Sequence, residues 1–145
     1  APRDIYGESK LAAEEVVRSL QADDFAVCVL RPPMIYGPGC KGNYQTLVKG
    51  ALKLPFFPDI ENERSMLHID TLCAFVKDLL DRNAAGLFFP QDAQYTCTSR
   101  MVERIARDNG RNIRLTELFN PILRLLSGKV GVVDKVFGGL VYARD

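Results

Sequence analysis

A tyrosine and a lysine stand four residues apart in Tyr6-Gly7-Glu8-Ser9-Lys10. On an α-helix those positions project from one face. An ammonium held beside a phenol favours the phenolate form. A phenol tuned in that way can exchange a proton with a substrate hydroxyl near neutral pH. The same spacing also describes an ordinary exposed helical pair, so the elements around it have to decide.

Those elements alternate between helix and strand. Leu11, Ala12, Val16, Val17 and Leu20 form a one-sided stripe, which predicts a helix over Ser9–Gln21. Phe25 to Leu30 is an unbroken apolar run and reads as a parallel strand covered on both faces. Pro32 and Pro33 end it, because proline donates no ladder hydrogen bond. Gly37 to Gly42 reads as a loop, and Asn43 as the cap of a helix reaching about Lys53. Met66–Ile69 predicts a short strand. Asp70 is placed as the cap of a helix over Thr71–Asn83, closed by Gly86. Strands follow at Leu87–Phe89, Tyr95–Thr98 and Ile113–Leu115, with a helix from Ser99 to Asn109-Gly110 and another opened by Asn120-Pro121. From Ser127 to Asp145 the pattern fits helix and strand equally. The alternation argues for an α/β layered domain.

Composition narrows the class. The 145 residues are 47% hydrophobic with a formal net charge of +1, which suits one domain with its own core. Such a balance gives no case for nucleic acid or an acidic membrane surface as partner. No apolar run approaches the length of a membrane span, and no signal peptide is legible. Cys28, Cys40, Cys73 and Cys97 form no C-x-x-C pair, so buried free thiols in a reducing cytoplasm are expected. One histidine, His68, leaves no ligand set for zinc.

Tyr6-Gly7-Glu8-Ser9-Lys10, the apolar run and Arg31-Pro32-Pro33-Met34-Ile35-Tyr36-Gly37-Pro38-Gly39 together resemble the extended short-chain dehydrogenase/reductase family. Within it the chain looks most like the NAD-dependent nucleotide-sugar epimerases and dehydratases, of the UDP-glucose 4-epimerase type. The resemblance covers nearly the whole chain and implies its C-terminal portion only. The fold so implied is the last parallel strands of a Rossmann-type sheet plus the smaller substrate-binding α/β region. Residues 1–41 would end the dinucleotide-binding domain and 42–145 would serve mainly the substrate, the two interleaving. The N-terminal half of the enzyme, with its glycine fingerprint and a serine or threonine partner for the tyrosine, would lie outside the chain, and these residues alone would be inactive.

Site residues follow from the same resemblance. Tyr6 is implied as general acid/base. Lys10 is implied to hold the nicotinamide ribose, with Pro33 and Ile35 beside the cofactor. Met34, Asn43, Tyr44, Phe57 and Arg64 are implied at the substrate. Met34 stands where nucleotide-sugar enzymes usually carry asparagine. Phe57 fits either base stacking or the core. Arg64, in Arg64-Ser65-Met66-Leu67-His68, offers a fork of donors suited to a diphosphate, or else a solvated partner for Glu61 and Glu63. His68 reads as structural, bonded to backbone. Gly37-Pro38-Gly39-Cys40-Lys41-Gly42 matches G-x-G-x-x-G but reads as a decoy. Residues intervene between the strand and the first glycine, and Pro38 lacks the amide a phosphate cradle would use.

The resemblance implies NAD, with NADP not excluded, a nucleotide-sugar substrate, and a homodimer. Two other readings stay open. Met34 favours an NAD(P)-dependent reductase or dehydrogenase of an apolar substrate. A non-catalytic binding module on the same fold would have no use for Tyr6 and Lys10.

Overall fold

In the computed structural model, the described residues are 5–126 together with Phe137, Gly139 and 141–143. The elements run α1 (Ile5–Arg18), β1 (Cys28–Leu30), β2 (Met34–Tyr36), α2 (Asn43–Lys53), β3 (Phe56–Pro58), β4 (Met66–His68), α3 (Ile69–Asp81), β5 (Gly86–Phe88), α4 (Thr98–Asp108), β6 (Arg114–Thr116) and α5 (Asn120–Leu126). Strands pair as β1 with β5, β2 with β4 and β3 with β6, each parallel. Parallel partners need long crossovers, and here helices supply them. The core lies between α2 and α4. Leu47 and Ala51 face Val102, Ile105 and Ala106, with Phe57 and Ile113 closing the end. Leu47 and Ala51 stand four apart on α2, and Val102, Ile105 and Ala106 stand at i, i+3 and i+4 on α4, so each helix buries one stripe.

Several boundaries differ from the sequence reading, for local reasons. Strands β2 and β3 were not expected, because prolines 32, 33, 55 and 58 bracket them. Pairing with β4 and β6 makes them strands all the same. Tyr95–Thr98 is not a strand: Thr96 makes one bridge to Arg64, and α4 has begun by Thr98. Asn62 explains that early start. Its Oδ1 accepts from the Thr98 amide at 2.9 Å and its amide donates to Thr98 Oγ1 at 3.0 Å. A residue distant in sequence thus satisfies a helix-end donor.

Asn43 does not cap α2; Gly42 holds that position without a side-chain bond. Asp70 does not cap α3 either. His68 does, its imidazole Nδ1 accepting from the Asp70 amide at 3.2 Å. Helix α3 closes at Asn83 rather than Gly86. Asn83 has φ 48°, and Ala84 N–H donates to Leu79 O at 2.9 Å, a left-handed C-terminal turn that asparagine tolerates. Gly110 closes α4 in the same way, as its position suggested.

The run Phe25–Leu30 is not covered on both faces. Phe25 and Ala26 are exposed, only Val27 is buried, and the strand itself is half-buried with one partner, β5. All four cysteines are free, but Cys73 is exposed and the rest are half-buried, not sealed in the core. Among the described residues, no helix is long and apolar enough to cross a membrane. None of their His, Cys, Asp and Glu side chains gather in threes to hold a metal ion. The tail from Ser127 lies largely outside the described residues.

Candidate active site

Helix α1 begins before Tyr6, so the tyrosine is a helical residue rather than a leader to the helix. Ser9 Oγ donates to Tyr6 O at 2.8 Å, and Glu8 in the first turn and Arg18 in the last complement the helix dipole. Lys10 is then directed back over Tyr6, with Nζ 5.5 Å from the ring centroid. That is a cation over an aromatic face. Tyr6 is 70% exposed. Neither its hydroxyl nor the Lys10 ammonium has a hydrogen-bond or ion-pair partner among the described residues. The ammonium therefore stands over the phenol ring at an open surface, and among the described residues neither polar group is bonded.

The other expected site residues fall in two groups. Pro33 is buried at the turn into β2, and Ile35 sits mid-strand opposite Leu67. Met34 and Tyr44 pack against the core, so Met34 has a structural task that needs no substrate. Phe57 is 6% exposed and packs on Phe137 with centroids 5.6 Å apart, leaving no ring face for a nucleobase. Asn43 is exposed at the start of α2. Arg64 is 7% exposed, which rules out a solvated side chain, and burial pushes its guanidinium below the ordinary range. The structure thus joins Tyr6 to Lys10, and Met34 to Tyr44 and Phe57.

A cleft of about 750 Å³ was not anticipated. Tyr36, Tyr44, His68, Asp92 and Arg104 are among the residues lining it. Tyr36 O–H donates to Asp92 Oδ2 at 2.8 Å, and Asp92 Oδ1 accepts from the His68 amide at 3.2 Å. The Tyr36 ring meets His68 edge-on at 5.1 Å. Burial first, then the bonded Asp92 carboxylate, push the Tyr36 phenol up to about 12, against a downward pull from Arg104. Burial also raises Tyr44, helped by Cys40 and Asp108. Tyr36, Tyr44 and His68 lie in stretches that the sequence itself singles out, whereas Asp92 carries no such signal and lies far along the chain.

A raised tyrosine has a consequence at high pH. The unfolded chain would release the Tyr36 proton near 10, the folded one near 12. Its contribution to stability is whole below the unfolded value and is lost as pH rises through the folded one. Wild-type stability in denaturant should fall across that window. The Tyr36→Phe protein should show a shallower fall, and an equally steep one would remove the assignment.

Parallel strand pairs crossed by helices, with a tyrosine–lysine pair on a helix beside the strands, define a Rossmann-type α/β protein. The chain belongs to the NAD dependent epimerase/dehydratase family, whose model matches residues 1–89. A UDP-glucose 4-epimerase of Vibrio cholerae is 34% identical over 112 residues, covering 73% of this chain and 34% of that enzyme. Among solved structures, a dTDP-4-dehydrorhamnose reductase of Bacillus anthracis in complex with NADP aligns with TM-score 0.66 at 17% identity, covering 80% of this chain and 41% of that one. A UDP-N-acetylglucosamine 4-epimerase of Bacillus cereus aligns with TM-score 0.64 at 18% identity, covering 99% and 57%. The chain therefore spans about a third to somewhat over half the length of these relatives.

The family match corrects the expectation of a C-terminal portion. It lies at the N-terminal side of this chain and takes in α1 through β5. Those alternating helices and parallel strands form a Rossmann-type core, not a C-terminal substrate-binding extension. The structure also amends one argument about Gly37 to Gly42. Strand β2 ends at Tyr36, so the loop does leave straight from a strand; the missing amide of Pro38 is what still sets it apart from a phosphate cradle.

Proposed function

We propose that the protein catalyses an NAD-dependent transformation of a nucleotide-linked sugar, of the UDP-glucose 4-epimerase type. The observation that carries this is Lys10 Nζ poised over the Tyr6 ring, within the stretch matched by the family. Tyr6 as phenolate takes the proton from the sugar 4-hydroxyl and returns it once the ring has turned over. Lys10, over the Tyr6 ring, holds ribose hydroxyls. NAD, with NADP not excluded, would supply the hydride acceptor and donor. The open hydroxyl and ammonium, neither bonded among the described residues, fit such a ligand. Pro33 and Ile35 border it.

Residues 1–41 carry the proton-transfer helix, and the substrate contacts come mainly from 42–145, part of which also completes the Rossmann-type core. The two interleave, since β1 pairs with β5 and β2 with β4. Exposed Asn43, half-buried Tyr44 and the Arg64 fork are assigned to the nucleotide. Met34 and Phe57 support them by packing. Free thiols support a cytoplasmic setting. Exposed Ile5 and Val16 on α1, with Leu20 in the turn after it, support a homodimer.

Incubation of the intact protein with NAD and UDP-glucose, followed by nuclear magnetic resonance, should yield UDP-galactose. Free uridine diphosphate should inhibit competitively. Turnover of an apolar keto substrate in place of any nucleotide sugar would overturn the assignment and favour the reductase reading.

A further inference from the structure

Helix α1 has no buried residue, so packing alone does little to fix its rotation. One of its side chains is nevertheless held. Glu14 is only 11% exposed, and Arg31 grips it from the end of β1. Arg31 Nε and a terminal nitrogen both reach Glu14 Oε2, at 2.9 and 2.8 Å. The other oxygen, Oε1, takes a longer bond from Arg18 at 3.4 Å. Arg31 is itself anchored, since its main-chain N–H donates to Phe88 O at 2.9 Å, extending the β1–β5 ladder. Pro32 and Pro33 follow, and their fixed φ stiffens the path into β2.

Glu14 lies on the same stripe as Tyr6 and Lys10, four residues beyond the lysine and eight beyond the tyrosine. We propose that the Glu14–Arg31 ion pair is a positioning device for the Tyr6 phenol and Lys10 ammonium. It references the proton-transfer helix to the Arg31-Pro32-Pro33 segment, and so to whatever ligand lies between them. This inference rests on the acid/base reading of Tyr6.

Magnitudes separate this role from a stabilising one. An ion pair with a partly exposed partner adds little to stability. Position is more sensitive. A phenol oxygen about 8 Å from the helix axis moves by about 1.4 Å when the helix turns by roughly 10°. A displacement of about 1 Å can cost roughly 100-fold in rate. Losing the pair should therefore spoil turnover well before it spoils folding.

The test uses Glu14→Gln, Arg31→Gln and the exchanged pair Glu14→Arg with Arg31→Glu, in the intact protein with UDP-glucose as probe. Each single variant should lower kcat by about 10- to 100-fold, with KM for the sugar nucleotide within about twofold. Lys10 moves with the helix, so the NAD dissociation constant, read by fluorescence titration without turnover, should rise severalfold. Amide exchange in α1 should quicken. The exchanged pair should return kcat to within about tenfold of wild type. Unchanged kcat in both single variants overturns the inference, as does a loss matched by a loss of folded protein. If a single variant does not fold, the exchanged pair decides, and a kcat more than about tenfold below wild type overturns it. Tyr6→Phe is measured alongside. A wild-type rate there sinks the acid/base reading; an inactive Tyr6→Phe beside fully active Glu14→Gln and Arg31→Gln sinks only the positioning role.

Discussion

Tyr6→Phe is expected to lower kcat by roughly 10²- to 10⁴-fold while NAD affinity stays within about twofold. Only one oxygen is lost. The ring remains beneath Lys10, so the ammonium keeps its place over an aromatic face. Because Tyr6 is largely exposed and its hydroxyl has no bonded partner among the described residues, stability should move by less than about 0.5 kcal/mol. A deep rate loss with unchanged folding and cofactor binding is what a proton carrier predicts. A wild-type rate would remove the mechanism, whatever the family.

Gly37→Ala carries the second large effect, on folding rather than chemistry. Gly37 has φ 124°, a backbone region that a side chain rarely adopts. It is also buried, and an added Cβ would lie 2.9 Å from Ile69 Cγ2 and 3.0 Å from His68 Nε2. His68 caps α3, so it cannot swing away without releasing the Asp70 amide. Strain and overpacking together should cost about 3 kcal/mol. Gly39 is the built-in control. Its φ is 77°, yet a methyl group added there would meet nothing within 4 Å. Gly39→Ala should therefore cost only about 1 kcal/mol of backbone strain. Urea midpoints of the two proteins check the contrast, and equal midpoints would refute the steric argument.

Much of the layout was legible because period and punctuation are local. The stripe in α1, the apolar run before Arg31, and the Asn109-Gly110 stop each announce themselves within a few residues. The missed strands β2 and β3 do not. Their prolines speak for loop, and only partners far along the chain, β4 and β6, hold them extended. Caps behaved in the same way. Asn43 and Asp70 have the right chemistry for a cap, but Gly42 and His68 occupy the positions, and Asn62 reaches α4 from a different loop. Propensity names suitable residues, while geometry chooses among them.

The candidate site divides along the same line. Tyr6 and Lys10 meet because four residues of helix put them together, and no other part of the molecule is needed for that. Burial is different. Phe57 fitted base stacking as readily as the core, and α2, α4 and the Phe137 ring settled it inside; Arg64, read as a diphosphate ligand or a solvated side chain, is buried. The Tyr36–Asp92 bond and the Glu14–Arg31 grip join residues whose separation carries no sequence period. Short-range order comes from backbone geometry, which repeats every few residues and can be read from types and spacing. Packing and charge pairing depend on which distant segments share a volume, and that is decided only when the chain has folded.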